Sequence, residues 1–158
     1  MSHTHKDPQA LAEEAAAAML AMDRVGPLLG IRLVKIAPGA CTLSMTIRPD
    51  MGNGHGICHG GMIFTLADSA FAYACNTGGG SAVAASGSID FLAPAHVGDE
   101  LTAVASTVWR RGRSGIHETV VTNQKGEAIA LFRGRSQLVS ATRPPPGAAR
   151  GWGHFKAP

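Results

Sequence analysis

Asp68 is the lone carboxylate in the run from Gly60 to Cys75, where the other side chains are apolar or small apart from the phenol of Tyr73. A run this apolar reads as a buried helix. An unpaired carboxylate there costs several kcal/mol unless it is hydrogen-bonded or its pKa rises. A carboxylate kept at that cost is a candidate for chemistry: it could take a proton from a water, or attack an electrophilic carbonyl itself. The helix begins at Gly60-Gly61. Its first amides have no intrahelical acceptor and sit at the positive end of the helix dipole. Glycine leaves them open to a ligand oxygen, which is one way to build an oxyanion hole. Just upstream, Asn53, His55 and His59 offer polar groups to orient a carbonyl or a water.

Spacing constrains how these groups can act together. Asp68 lies roughly 12 Å along the axis from Gly60, at about 1.5 Å per residue. One carbonyl cannot rest on the Gly60 amide and also be attacked from Asp68 of the same helix, since reactive contacts need about 3 Å. Two antiparallel copies of the helix would bring Gly60 of one chain to Asp68 of the other. The expectation is a two-fold dimer with composite sites.

The elements that hold this helix follow from pattern. Residues 1–8 read as a tail, and Gln9 to Met22, rich in Ala, Leu and Glu after Asp7-Pro8, as a helix. Gly26-Pro27 and Gly30 are expected to break it. Ile31 to Ala37 alternates imperfectly, whereas Cys41, Leu43, Met45 and Ile47 alternate cleanly with polar residues. Pro38-Gly39 between them suggests a hairpin. After the helix, Asn76 or a following glycine is expected as a left-handed cap. Strands are expected at Ala82–Leu92, Glu100–Arg110, Gly115–Asn123 and Ala128–Val139, with short connections that favour antiparallel pairing. The fold class is α+β: an antiparallel sheet of five to six strands wrapped around one long central helix. The organisation read from the chain is a tail and helix over 1–22, a main domain over 23–140, and a Pro-rich extension over 141–158, extended or disordered.

Composition narrows the classes. The chain has 158 residues, 45% apolar and only 16% charged, so much of its surface is expected to be buried in an oligomer. A net charge of +3 is too mild for a nucleic-acid binder. No apolar stretch is long enough for a membrane span. Cys41, Cys58 and Cys75 are an odd set without CxxC or zinc spacing, which suggests free thiols, a cytoplasmic location and no metal. Cys58 and His59 are adjacent and so are poorly placed as a nucleophile–base pair.

The run Asn53-Gly54-His55-Gly56-Ile57-Cys58-His59-Gly60-Gly61-Met62-Ile63-Phe64-Thr65-Leu66-Ala67-Asp68-Ser69-Ala70-Phe71-Ala72 resembles the signature of hotdog-fold acyl-CoA thioesterases, most nearly the phenylacetic-acid-degradation (PaaI-like) group. Gly87-Ser88-Ile89-Asp90-Phe91-Leu92-Ala93-Pro94-Ala95 with Gly98-Asp99 resembles the strand and turn that follow in that family. The resemblance covers about residues 20–140. It implies that Asp68 is the nucleophile or general base. It implies that Gly60, with Gly61 beside it, polarises a thioester carbonyl, and that Asn53 and His59 assist. It also implies a dimer with shared active sites, assembled as a tetramer, acting on acyl-CoA of the phenylacetyl or hydroxyphenylacetyl type with no cofactor. A hydroxyl contact implied after the helix loop meets Ala84 instead, which leaves Ser86 or Ser88 to supply it.

Other roles come from residue type. Phe64 and Phe71, with Met62, Leu66 and Tyr73, are candidates for the acyl pocket. Arg110, Arg111 and Arg113 form the densest basic cluster and suit the phosphates of coenzyme A; Arg133 and Arg135 are a second group. Two competing readings are a hotdog dehydratase acting on a hydroxyacyl thioester, with His59 and Asp68 meeting at one carbon, and a non-catalytic acyl-CoA-binding module.

Overall fold

Asp7 starts the first helix as expected: its carboxylate accepts from the Ala10 amide at 3.1 Å, and Pro8 occupies the first turn. The computed structural model describes residues 6–142. The expected tails at 1–8 and 141–158 fall largely outside these residues. Helix α1 spans Pro8–Met22 and buries Ala12, Ala15 and Ala16. The Gly26-Pro27 segment does not simply break the chain. Val25–Leu29 form a short helix, α2, with Pro27 early enough that its missing N–H is not needed, and Gly30 closes it at φ 69°.

Strands β1 (Arg32–Ala37) and β2 (Ala40–Thr46) form the expected hairpin. The imperfect alternation of the first has a cause: the register shifts between Leu33 and Lys35. A 3-10 turn at Pro49–Met51 and a glycine-rich loop lead to the central helix α3, Gly60–Cys75. Four strands follow: β3 (Ser81–Phe91), β4 (Glu100–Arg111), β5 (Ser114–Thr122) and β6 (Ala128–Ser140). All pairings are antiparallel, in the order β1-β2-β4-β5-β6-β3. The α+β expectation therefore holds, with six strands. β3 follows α3 in sequence but lies at the sheet edge, where most of its residues are exposed.

Helix α3 packs against all six strands. It is not buried all round. Ile63, Leu66, Ala67, Ala70, Phe71, Tyr73 and Ala74 face the core with Leu43, Met45, Leu101 and Val121. Met62, Phe64, Thr65, Asp68, Ser69, Ala72 and Cys75 are only half-buried. The apolar character that suggested complete burial thus continues onto a face this chain leaves partly open. The helix ends differently from expectation. Asn76 has φ −103°, not left-handed. It caps through its side chain, whose Nδ2 donates to the carbonyls of Ala72 and Ala82 while its Oδ1 accepts from the Ala82 amide. That side chain ties the end of α3 to the start of β3. The positive φ comes at Gly79, where a Cβ would lie 2.9 Å from Leu11 of α1.

Candidate active site

The loop before α3 is organised by Asn53. Its Oδ1 accepts from the amides of His55 at 2.9 Å and Ile57 at 3.3 Å, and its own amide donates to the Ile57 carbonyl. Asn53 therefore shapes the loop, with its Nδ2 unused in any hydrogen bond among the described residues. The loop delivers His59 to the N-cap of α3, held by a bond from its amide to the Met51 carbonyl.

His59 then decides which helix amides stay free. Its Nδ1 accepts from the Gly61 amide at 2.9 Å. The ring nitrogen does the work that Ser or Asp does at other N-caps. Accepting at Nδ1 puts the ring proton of neutral His59 on Nε2. Gly61 was expected to share in polarising a carbonyl. In this geometry its N–H is engaged by the His59 cap. The Met62 amide turns back to the His59 carbonyl. Among the described residues the Gly60 N–H has no acceptor, and it remains the open donor.

Gly60 opens onto a cavity of about 400 Å³ lined by Asn53, Cys58, Ile63, Phe91 and Leu92 among others. Phe91, from the end of β3, lies over the helix start: a Cβ on Gly60 would come 2.9 Å from its Cζ. A methyl there would press on the far end of that exposed ring. Phe91 was read from sequence only as part of a strand. An aromatic at a strand end just before Leu92 and Pro94 was the available signal, but nothing local says which helix residue it covers.

Asp68 sits on the half-buried face of α3. No hydrogen bond or ion pair reaches it among the described residues. Burial alone pushes its carboxyl above the ordinary value of 3.8.

The remaining candidates are dispersed. Phe64 is half-buried and meets Phe132 edge-on at 5.5 Å. Phe71 is fully buried between Phe132 and His117, so it is a core ring and not a pocket wall; Leu66, also fully buried, and Tyr73, 4% exposed, are core residues too. Ser86 and Ser88 pair with Arg135 and Arg133 across β6, and directly opposed residues share a face. Together they line a groove of about 300 Å³ on the side of the sheet away from Phe132 and α3. Within one chain, then, both serines line the face of the sheet opposite α3. The arginine cluster also divides. Arg113 donates to the carbonyls of Leu138 and Val139, and with Arg110 it lines a separate cavity at the far end of α3. Arg111 is exposed.

Among the described residues no group of three or more His, Cys, Asp or Glu could hold a metal ion, and no helix is long and apolar enough to cross a membrane.

Residues 55–130 match the model of the family described as the thioesterase superfamily. The chain is 42% identical over 127 residues to the acyl-coenzyme A thioesterase PaaI of Escherichia coli, covering 80% of this chain and 91% of that protein. The solved structure of the E. coli PaaI protein from the phenylacetic acid degradation operon superposes with a TM-score of 0.84 at 40% identity, over 86% of this chain and 99% of that one. A mutant of the phenylacetic acid degradation protein PaaI from Thermus thermophilus superposes with a TM-score of 0.72 at 35% identity, over 74% and 100%. With its six-stranded antiparallel sheet around α3, this chain belongs to the hotdog-fold thioesterase superfamily.

Proposed function

We propose that this protein is an acyl-CoA thioesterase of the PaaI type, hydrolysing an acyl-CoA to the free acid and coenzyme A. The observation that carries the reading is the unengaged Gly60 amide, at the positive end of α3 and the mouth of a cavity, on the same helix as an unpaired Asp68. The thioester carbonyl accepts from Gly60, and charge developing on its oxygen is stabilised there. Asp68 either takes the proton of a water that attacks the carbonyl carbon, or attacks that carbon to form a mixed anhydride that water cleaves. Asn53 Nδ2 and His59 Nε2–H are the polar groups available to orient substrate or water. The leaving thiolate departs as coenzyme A.

The Gly60 and Asp68 of one reaction come from two chains, since about 12 Å of helix axis separates them within one. Two features support a dimer. The half-open face of α3 carries Met62, Phe64 and Asp68. The edge strand β3 is 11 residues long with most of its residues exposed, and such an edge is a template for pairing. Pairing of two β3 edges would continue the sheet and set two α3 helices side by side. The exposed stripe Val104, Val120 and Leu131 on the outer sheet face is a further apolar surface for a tetramer.

The phosphates of coenzyme A are best matched by Arg133 and Arg135 with Ser86 and Ser88, aided by the exposed Arg111. Phe64 and Phe91 suit an acyl group of the phenylacetyl or hydroxyphenylacetyl type, which the operon of the E. coli relative makes the first to test. Three free thiols fit a cytoplasmic location. A thiol-release assay over short, long and aromatic acyl-CoAs tests the reading. Release by wild type and none by Asp68→Ala supports it. An enoyl chromophore instead of thiol would favour a dehydratase, and binding without either product would favour a sensor.

A further inference from the structure

We propose that the cavity at the C-terminal end of α3 is a second ligand site, built for a small organic carboxylate. The cavity encloses about 230 Å³ and lies at the opposite end of the helix from Gly60. That is below the roughly 300–1,000 Å³ of sites for drug-sized ligands, so its occupant is compact. Pro8 and Leu11 of α1 close one side, and Ala74, Pro38 and Leu138 supply apolar wall.

The polar lining sets the ligand's charge. It contains Arg110, Arg113, His117, Thr107 and Ser136 but no Asp or Glu. His117 is 3% exposed and Ser136 5%. The two ring nitrogens of His117 meet Thr107 Oγ1 at 3.0 Å and Ser136 Oγ at 2.9 Å. A neutral imidazole has one donor and one acceptor. If Nδ1 carries the proton, Ser136 donates to Nε2 and the Thr107 hydroxyl hydrogen is left over. If Nε2 carries it, Thr107 donates and the Ser136 hydrogen is left over. In either tautomer one hydroxyl donor at the cavity has no acceptor among the described residues. Arg113 is committed to β6 carbonyls, whereas Arg110 has no hydrogen bond or ion pair among the described residues.

A donor excess beside apolar walls calls for an acceptor group on an apolar body, and a guanidinium fork fits a carboxylate. The C-terminal carbonyls of α3 would oppose an anion through the helix dipole. Three of them are already answered: Ala72 and Tyr73 accept from Asn76, and Ala74 accepts from Thr77. The inference stands on this cavity and does not depend on the acyl-CoA reading. Should that reading hold, the acid released by hydrolysis is of the class the cavity takes.

Calorimetric titration of the full-length protein with acetate, benzoate and phenylacetate, using the matching amides as uncharged controls, tests the site. Saturable binding of an acid and not its amide is expected. Arg110→Met, an exposed change, and Ser136→Ala should each weaken it about tenfold or more. Binding should persist in Asp68→Asn and in the presence of saturating coenzyme A. Acid binding that coenzyme A displaces, or that Arg110→Met leaves unchanged, or no saturation at millimolar concentration, would overturn the proposal. The acyl-CoA reading is judged separately by thiol release.

Discussion

Nδ1 of His59 accepts the Gly61 amide at 2.9 Å, so the residue that caps α3 also removes one of the two glycine amides from the site. His59 is then a positioning residue whose loss acts through the helix start. His59→Ala should cost about 0.5–2 kcal/mol of stability through the lost cap. It should also lower kcat, because the first turn that carries the Gly60 amide loosens. His59→Asn can cap in the same way and should recover most of the stability. Thermal melts and kcat measured on both variants separate the roles: activity lost in His59→Asn at full stability would give the imidazole Nε2–H a direct part in turnover.

Phe91 and Gly60 make a steric pair. Gly60→Ala keeps the amide donor but drives a methyl to 2.9 Å from the Phe91 ring. Either the ring or the helix start must move, and a shift of about 1 Å at a reacting group costs up to a hundredfold. Phe91→Leu should restore part of kcat in the Gly60→Ala background while altering the ranking of acyl groups by KM. Additive losses in the double variant would show that the two positions act independently.

On the proposed mechanism, Asp68 couples activity to stability with opposite signs. Burial raises its folded-state pKa above 3.8. Between those two values the folded chain holds more protons than the unfolded one, so stability falls as pH rises through that window. Asp68→Asn removes this penalty and should melt at a higher temperature than wild type at neutral pH. The same variant should lose a hundredfold or more in thiol release, about the weight of a general base. The wild-type kcat/KM should rise with pH through the raised pKa and then level. An Asp68→Asn protein that melts lower than wild type would mean the carboxylate has a stabilising partner, such as one from a second chain.

Much of this was legible in the chain because it depends on periodicity. The alternation in β2 and the apolar run of α3 gave their elements nearly residue for residue. The strand order was less accessible: β3 crosses to the β6 edge, and no local pattern records that pairing. Side-chain direction was the harder part. Ser86 and Ser88 follow a register shift between Ala84 and Ser86 that decides which face they take. The capture of the Gly61 amide depends on a His59 rotamer, and Phe91 reaches Gly60 only through tertiary packing. His117 could have been found, since Gly115, His117, Thr119 and Val121 share the buried register of β5.

His117 gives an acid-side prediction. Burial, and then the nearby Arg110 charge, lower its pKa below 6.5. Between the lowered value and 6.5 the unfolded chain binds more protons, so the neutral buried ring contributes stability that is lost as pH falls through that window. Other groups titrate as well, so the informative quantity is the difference from a variant. His117→Gln keeps hydrogen-bonding capacity without a titrating ring, and its stability should fall less steeply than wild type between pH 7 and 5. Denaturant midpoints at several pH values measure it. Parallel slopes would mean that His117 takes up its proton equally in the folded and unfolded states, so that burial does not lower its pKa.

The groove of Ser86, Ser88, Arg133 and Arg135 yields the last expectation. Arg133 is already paired with Glu118 at 3.1 Å, and both are exposed, so that pair contributes little on its own. Arg135 has no such partner among the described residues. If the groove receives the coenzyme's phosphates, Arg135→Ala should raise KM for acyl-CoA several-fold, about 1 kcal/mol of a charge-assisted contact, with kcat unchanged. The same variant should leave KM unaltered for a phosphate-free thioester of the same acyl group, such as an N-acetylcysteamine ester. Glu118→Gln frees Arg133 and should lower KM for acyl-CoA alone. Equal changes for both substrates would move the effect from phosphate recognition to the fold of β6. The exposed Arg111 should then be tested in the same way as the phosphate contact.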